Sequence, residues 1–215
     1  MSTRLLLADD HVLVRNGLRN LLLHEGFEVV AEASNGREAV EQAAELDPDV
    51  ALLDISMPLL NGIDAARQIN NTSPRTKVIL LTMHKEEQYA LEGLRSGIKG
   101  YVLKTQDTGD LVQAILTVLH GDTYLSPAIS GSVVSAALGK GTRGLFQHAG
   151  VSLTVRERQV LQLIAESMTN KEIAAQLDIS IKSVESHRNN MMKKLDLHAS
   201  AGLVRYAIRI GIVQP

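Results

Sequence analysis

The 215-residue chain contains no cysteine and no tryptophan, and only 3% of its residues are aromatic. The absence of cysteine excludes disulfide frameworks, cysteine-ligated zinc and thiol nucleophiles. The shortage of aromatic rings argues against a stacking platform for single-stranded nucleic acid. No apolar run reaches the roughly 18 residues that a membrane-spanning helix needs. Charged residues also follow the amino terminus too early for a secretory signal, so we expect a cytoplasmic protein with no membrane partner.

What the chain does contain is enough apolar material for packed cores. Hydrophobic residues make up 45% and charged residues 21%, and this composition excludes a chain that is mainly disordered. The length allows one large domain or two small ones. Formal charge divides unevenly, with −7 in residues 1–125, +2 in residues 126–150 and +3 in residues 151–215. This asymmetry suggests two domains with different partners, although the last value is ordinary for a stretch of that length.

Apolar segments of strand length alternate with amphipathic segments of helical length over the first part of the chain. The pattern predicts strands over 4–8, 27–33, 49–54, 77–82 and 101–103, and helices over 12–24, 36–46, 61–70, 85–96 and 108–119. Each strand–helix pair implies a crossover, and crossovers produce a parallel sheet with helices on both faces. We therefore predict an α/β, doubly wound domain with five parallel strands over residues 1–125.

The rest of the chain reads as a connector and a helical domain. Residues 126–150 predict a linker, with a short helix from Ser126 to Leu138 followed by a glycine-rich segment. Residues 151–215 predict helices over 155–167, 170–177, 181–195 and 200–210, two of which begin with capping-box spacing at Thr154 and Thr169. The second and third of these helices are separated by a tight turn, and the third carries basic residues. That arrangement is typical of a helix-turn-helix domain.

Polar side chains follow the predicted strands at their carboxyl ends, namely Asp9, Asp10, Asp54, Thr82 and Lys104. Because parallel strands end at one edge of the sheet, we expect these side chains to meet there. Carboxylates crowded together repel one another and need a cation, and oxygen ligands suit Mg²⁺. Asp54 ends the most apolar strand and can attack phosphorus to form an acyl phosphate. Lys104 and Thr82 would then hold the phosphoryl oxygens.

This order of residues resembles the receiver domain of two-component response regulators. The residues that carry the resemblance are Asp9-Asp10, Asp54-x-x-Met57-Pro58-x-x-x-Gly62, Thr82 and Lys104. Residues 154–215 resemble the LuxR-type helix-turn-helix output domain, through Asn170-Lys-Glu-Ile-Ala174 and the series Val184, His187, Met191 and Leu195. Together the two parts resemble the NarL/FixJ family. The resemblance implies a flavodoxin-like receiver domain joined to a small all-α DNA-binding domain.

The resemblance also implies roles and partners. It makes Asp54 the phosphoacceptor, and it assigns Mg²⁺ to Asp9, Asp10, Asp54 and the backbone carbonyl of Ser56. Thr82 and Tyr101 match the switch pair, and Lys104 matches the phosphate-binding lysine. The implied partners are a histidine kinase as phosphodonor, double-stranded promoter DNA, a second copy of the phosphorylated chain and, as a further candidate, RNA polymerase.

The helix predicted over 181–195 sorts into two faces at 3.6 residues per turn. Val184, His187, Met191 and Leu195 share the face that we expect to pack in the domain core. The opposite, exposed face carries Lys182, Glu185, Ser186, Asn189 and Lys193. We predict DNA contacts from these residues and from Ser183 and Arg188. The basic members of this set, together with Lys194, suit phosphates, and Ser183 suits either a helix start or a phosphate. Glu185, Ser186 and Asn189 suit base edges.

Two alternatives remain open from the residues alone. A haloacid-dehalogenase-type hydrolase also uses an aspartyl phosphate, Mg²⁺, threonine and lysine. Its motif needs a second acid two residues after the nucleophile, where this chain has Ser56. The carboxyl-terminal domain could also contact protein or RNA instead of DNA. We favour a regulator that is not an enzyme.

Overall fold

The computed structural model describes residues 2–83, 87–105, 107–137, 153–210 and 212–213. The chain forms two compact units, one over residues 1–141 and one over residues 142–215. Residues 138–150 of the predicted linker lie outside the described residues. No helix among those described is long and apolar enough to cross a membrane.

The first unit is built on a parallel sheet. Its strands are β1 (Arg4–Ala8), β2 (Glu28–Ala33), β3 (Val50–Asp54), β4 (Lys77–Thr82), β5 (Gly100–Leu103) and β6 (Tyr124–Leu125). They lie in the order β2-β1-β3-β4-β5-β6, and every pair is parallel. The predicted parallel α/β fold is therefore confirmed, with one strand more than the five expected. The sequence does not predict β6 because a two-residue strand carries no periodicity.

Helices cover both faces of this sheet. They are α1 (Val12–His24), α2 (Gly36–Leu46), α3 (Gly62–Thr72), α4 (Glu87–Arg95), α5 (Thr108–Leu119) and α6 (Pro127–Ala137). Neighbouring residues on one strand enter opposite cores: Leu53 and Leu80 pack with residues of α2, α3 and α4. Leu52 and Ile79 pack with residues of α1 and α5. Because both faces are buried, the strands are nearly continuous apolar runs.

Helix α6 belongs to the first unit and packs against its core. Ile129 and Val133 are buried in the same core as Leu80. Just before the helix, the backbone N–H of Ser126 donates to the Tyr101 carbonyl at 3.0 Å, and the Ser126 hydroxyl accepts from the Leu103 N–H at 3.0 Å. The first part of the segment that the sequence assigns to the linker is therefore integrated into this unit.

The second unit is helical. It contains α7 (Val155–Ala165), α8 (Asn170–Leu177), α9 (Ile181–Lys194) and α10 (Ser200–Arg209). Both predicted capping boxes are present, one between Thr154 and Glu157 and one between Thr169 and Glu172. Asp178 ends α8 in the left-handed region with φ of 52°, and the Ser180 side chain caps α9. The predicted helix-turn-helix is formed by α8, the three-residue turn and α9.

Candidate functional site

Three strands of the sheet bring three charged side chains to one edge. Asp9 follows β1, Asp54 ends β3 and Lys104 follows β5. The Lys104 Nζ lies 2.7 Å from Asp9 Oδ2 and 2.7 Å from Asp54 Oδ1. Residues that are 45 and 50 positions apart along the chain thus share one ion-pair network, as expected for groups at the carboxyl ends of parallel strands.

Burial and charge shift the pKa values in this network. Asp9 is fully buried, Asp54 is 5% exposed, and the Lys104 side chain is 12% exposed. Burial raises the pKa of Asp54 above its usual value, and Asp9 and Asp10 raise it further, whereas Lys104 opposes the shift. Burial alone would lower the pKa of Lys104, but Asp54 and Asp9 outweigh it and hold that pKa above its usual value. Lys104 is therefore held in its charged form, and burial is the main cause of the raised pKa of Asp54.

The turn after β1 carries further ligand-type atoms. The Asp9 carboxylate accepts from the His11 N–H at 2.9 Å, and His11 Nδ1 lies 2.9 Å from Asp10 Oδ1. Asp10 Oδ1 is buried and accepts no hydrogen bond from the described residues, so its contact with His11 Nδ1 is an ion-pair contact without hydrogen-bond geometry. Ligand atoms of Asp9, Asp10 and His11 lie within 4.8 Å of one another. Three carboxylates surround one lysine here, and a buried carboxylate oxygen that accepts no hydrogen bond fits a hard divalent cation such as Mg²⁺.

The acidic pair is predictable from the sequence, but the nearby His11 is not. His11 directly follows the acidic pair in the sequence. That position does not reveal that its ring nitrogen lies close to the carboxylates, because this depends on the geometry of the turn.

The other predicted residues of this site lie around the same edge. Thr82 ends β4 and is fully buried, and its carbonyl accepts from the Lys104 N–H at 2.7 Å. Tyr101 is fully buried on β5. Ser56 is half-buried in the connection between β3 and α3. Thr82 ends its strand, Ser56 follows β3, and Tyr101 lies two residues before the end of β5; the roles of all three stay predictions.

Gly62 lets α3 begin directly against Asp54. The Gly62 N–H donates to the Ile55 carbonyl at 2.8 Å, and Leu59 turns the connection with φ of 65°. A Cβ atom on Gly62 would lie 2.1 Å from the Asp54 carbonyl oxygen, a distance that no side chain tolerates. The glycine of the motif is thus required by the close approach of two backbone segments beside Asp54.

In the second unit, α9 has the two faces that its sequence predicts. Val184 and Met191 are buried, and His187 and Leu195 are half-buried. The opposite face is exposed along its length, at Lys182, Glu185, Ser186, Asn189 and Lys193. This second set is free of the core and lies on the helix that follows the tight turn.

Arg188 is half-buried and is already engaged within the unit. Its Nη1 donates to Asn170 Oδ1 at 2.9 Å, and its Nη2 donates to Ser200 Oγ at 3.0 Å. Asn170 is the first residue of α8 and Ser200 is the first residue of α10. The guanidinium thus joins three helices, a role that the predicted phosphate contact does not anticipate.

Two further residues of α9 also make contacts inside the unit. The Ser183 N–H donates to the Ser180 hydroxyl at 3.0 Å, so Ser183 belongs to the start of the helix. The Lys194 Nζ lies 2.7 Å from Glu157 Oε2. This ion pair holds the ammonium group on α7, and the phosphate contact of Lys194 stays a prediction.

Comparisons with known proteins agree with both parts of the chain. Residues 5–116 match the family described as "Response regulator receiver domain", and residues 151–207 match "Bacterial regulatory proteins, luxR family". The oxygen regulatory protein NreC of Staphylococcus carnosus is 37% identical over 214 residues, which cover 96% of this chain and 97% of the relative. NreC of Staphylococcus haemolyticus is 38% identical over the same shares of both chains. Neither matching family is a hydrolase family.

Solved structures show the same similarity. A LuxR-family two-component response regulator from Aurantimonas sp. SI85-9A1 is 35% identical with a TM-score of 0.61, over 64% of this chain and 99% of that one. RcsB of Salmonella enterica serovar Typhimurium, bound to promoter DNA in the presence of the phosphomimetic BeF₃⁻, is 29% identical with a TM-score of 0.64. That match covers 96% of this chain and 98% of the other. The chain therefore belongs to the two-component response regulators of the NarL/FixJ type, which join a receiver domain to a LuxR-type DNA-binding domain.

Proposed function

We propose that this response regulator accepts a phosphoryl group on Asp54 from a histidine kinase, and that this modification controls dimerisation and binding to promoter DNA. The observation that carries the proposal is the placement of Lys104 Nζ at 2.7 Å from both Asp54 and Asp9. An ammonium group in this position sits where the negative charge of a phosphoryl group on Asp54 would develop.

Phosphoryl transfer needs an ionised Asp54. Its carboxylate oxygen attacks the phosphorus of a phosphohistidine, a new O–P bond forms, and the P–N bond to imidazole breaks with its electrons returning to the ring nitrogen. Asp9, Asp10 and Asp54, with the Ser56 carbonyl, are the residues that would hold Mg²⁺. When bound, the ion neutralises charge on the phosphoryl oxygens and on the crowded carboxylates.

Groups on β4 and β5 would bind the phosphoryl group on Asp54. A phosphoryl group adds a charge of about −2, which attracts Lys104 and the Thr82 hydroxyl. These two residues are already joined through the Lys104 N–H and the Thr82 carbonyl at 2.7 Å. Tyr101, which is fully buried two residues before Leu103, would pack with Thr82 in the phosphorylated state. A ligand of this kind acts by favouring one of two existing conformations.

The exposed face of α9 is the proposed DNA-reading surface. Glu185, Ser186 and Asn189 offer the acceptor and amide groups that suit base edges in the major groove. Lys182 and Lys193 suit phosphates and would make binding sensitive to salt. The complex of RcsB with promoter DNA, at 96% coverage of this chain, supports this use of the second unit.

We also propose domain boundaries along the chain. Residues 1–125 form the receiver domain, 126–150 the linker and 151–215 the DNA-binding domain. The matched ranges 5–116 and 151–207 support it. Because α6 packs with the first unit, the part of the linker that separates the domains would lie after Ala137. A cytoplasmic location follows from the proposed partner, since promoter DNA lies there.

The proposal is tested with Asp54→Asn in the full-length chain. Wild-type protein incubated with acetyl phosphate and Mg²⁺ should shift on a phosphate-affinity gel and should then bind a selected genomic DNA fragment more tightly. Asp54→Asn should show neither change. Asp122→Asn, an exposed carboxylate that precedes β6 at the opposite edge of the sheet, should behave as wild type. Phosphate-dependent DNA binding that survives Asp54→Asn would refute the assignment.

A further inference from the structure

We propose that Arg15 is a positioning residue for the metal-binding acidic pair, because it holds the peptide bond that joins Asp9 to Asp10. The inference rests on the proposed use of a divalent cation by this site. Arg15 lies in the first turns of α1, and its side chain is 16% exposed.

The Arg15 side chain contacts the backbone of Asp9. Arg15 Nη1 donates to the Asp9 carbonyl oxygen at 2.6 Å. That oxygen belongs to the peptide plane between Asp9 and Asp10. A charged donor on it fixes the orientation of the plane, and the orientation of the plane sets the direction in which the Asp10 side chain leaves the backbone.

The guanidinium also forms an ion pair, without a hydrogen bond, with the neighbouring strand. Arg15 Nε lies 3.4 Å from Glu32 Oε2, and Glu32 is in β2. The other side of the turn is tied to the same strand, since the Asp9 N–H donates to the Ala33 carbonyl at 3.1 Å. The planar fork of arginine can reach a carbonyl and a carboxylate at once, which a lysine cannot reproduce.

The turn that Arg15 contacts carries the Asp9 and Asp10 carboxylates, which would bind the ion. The Asp9 carboxylate is fixed by Lys104 and by the His11 N–H, whereas Asp10 Oδ1 is buried without a hydrogen bond from the described residues. The His11 ring, which lies 2.9 Å from Asp10 Oδ1, is 64% exposed, so the backbone is the buried support that directs Asp10 toward the site. Arg15 contacts neither the ion nor the phosphoryl group in this scheme. Groups that orient metal ligands from behind typically change metal affinity by about 10–100-fold.

The chain offers a matched control for the test. Arg19 lies one helical turn further along α1, and its Nε pairs with the same Glu32 at 3.1 Å. It makes no contact with the Asp9 carbonyl among its described bonds. Arg15→Gln and Arg19→Gln therefore remove the same charge from the same helix and the same carboxylate, but only Arg15→Gln releases the peptide.

The experiment measures Mn²⁺ binding to the unphosphorylated full-length protein by electron paramagnetic resonance. We expect Arg15→Gln to weaken binding by about tenfold, Arg15→Lys to weaken it less, and Arg19→Gln to leave it near the wild-type value. In phosphorylation by acetyl phosphate, Arg15→Gln should raise the Mg²⁺ concentration for half-maximal rate and leave the rate at saturating Mg²⁺ close to wild type. A merely structural role would lower thermal stability without this split.

Two results would overturn the inference. The first is that folded Arg15→Gln or Arg15→Lys binds Mn²⁺ as tightly as wild type. The second is that Arg19→Gln weakens Mn²⁺ binding as much as Arg15→Gln does. The two proposals can also fail separately. If Arg15→Gln weakens Mn²⁺ binding tenfold but the wild-type protein is not phosphorylated on Asp54, the inference is supported and the proposed function is refuted. Wild-type protein that binds no Mn²⁺ would refute both.

Discussion

Replacing Glu157 by glutamine tests the carboxylate that joins α7 to the end of α9. Glu157 is 3% exposed, and its Oε2 accepts from Lys194 Nζ at 2.7 Å, from the Thr154 N–H at 2.8 Å and from the Thr154 hydroxyl at 3.1 Å. Glutamine has nearly the same shape and still accepts from Thr154. The variant therefore removes the ionic part of the interaction and keeps most of the helix cap.

The expected loss follows from these contacts. A hydrogen bond to a charged group contributes about 1.5–3 kcal/mol, whereas an exposed ion pair contributes about 0–1 kcal/mol. The Lys194 side chain is 38% exposed, so solvent screens the pair and the value lies between these ranges. We expect Glu157→Gln to lower the free energy of unfolding of the second unit by about 1–2 kcal/mol at pH 7.

The same pair predicts a pH dependence. Burial would raise the pKa of Glu157, but Lys194 and Thr154 outweigh it and hold that pKa below its usual value. A carboxyl group with a lower pKa in the folded than in the unfolded chain stabilises the fold above the unfolded value of about 4.3. That stabilisation is lost as the pH falls through the folded value. The difference between wild type and Glu157→Gln should therefore be full at neutral pH and should shrink below about pH 5.

Hydrogen exchange of the full-length chain, followed by mass spectrometry, measures this stability in peptides from α7 and α9. Glu172→Gln is the control, because Glu172 forms the same capping box with Thr169 but is exposed. It should leave protection in α7 and α9 nearly unchanged. Equal protection of wild type and Glu157→Gln at pH 7, or a gap that keeps its size in acid after correction for intrinsic exchange, would refute the reasoning.

Three further changes have expected outcomes of their own. Gly62→Ala should slow phosphorylation by about tenfold or more, since its Cβ would lie 2.1 Å from the Asp54 carbonyl oxygen; a rate equal to wild type in an acetyl phosphate assay would contradict this. Ser126→Ala should lower the free energy of unfolding of the first unit by about 1–3 kcal/mol in urea, because the Leu103 N–H loses a fully buried acceptor; an unchanged midpoint would count against it. Lys193→Ala should reduce the slope of log affinity for DNA against log salt concentration by about 1, and an unaltered slope would exclude a phosphate contact.

The sequence by itself determines much of this molecule. Alternation of apolar strands with amphipathic helices predicts the parallel sheet, because each crossover leaves few topologies. The two capping boxes and the apolar stripe of Val184 and Met191 predict α7, α8 and α9, since they depend on contacts within a few residues. The order of polar residues at strand ends also predicts which side chains share an edge, because a parallel sheet brings all its carboxyl ends together.

Only the tertiary structure decides what each side chain touches. The sequence predicts phosphate contacts from Lys194 and Arg188, and only the structure shows that Lys194 pairs with Glu157 on α7 and that Arg188 bonds Asn170 and Ser200. The link from Arg15 to the Asp9 carbonyl likewise depends on how α1 lies on the sheet. Long basic side chains have many rotamers, and helical periodicity specifies a face but not a partner. The choice of partner is made by the packing of elements that lie far apart in the chain.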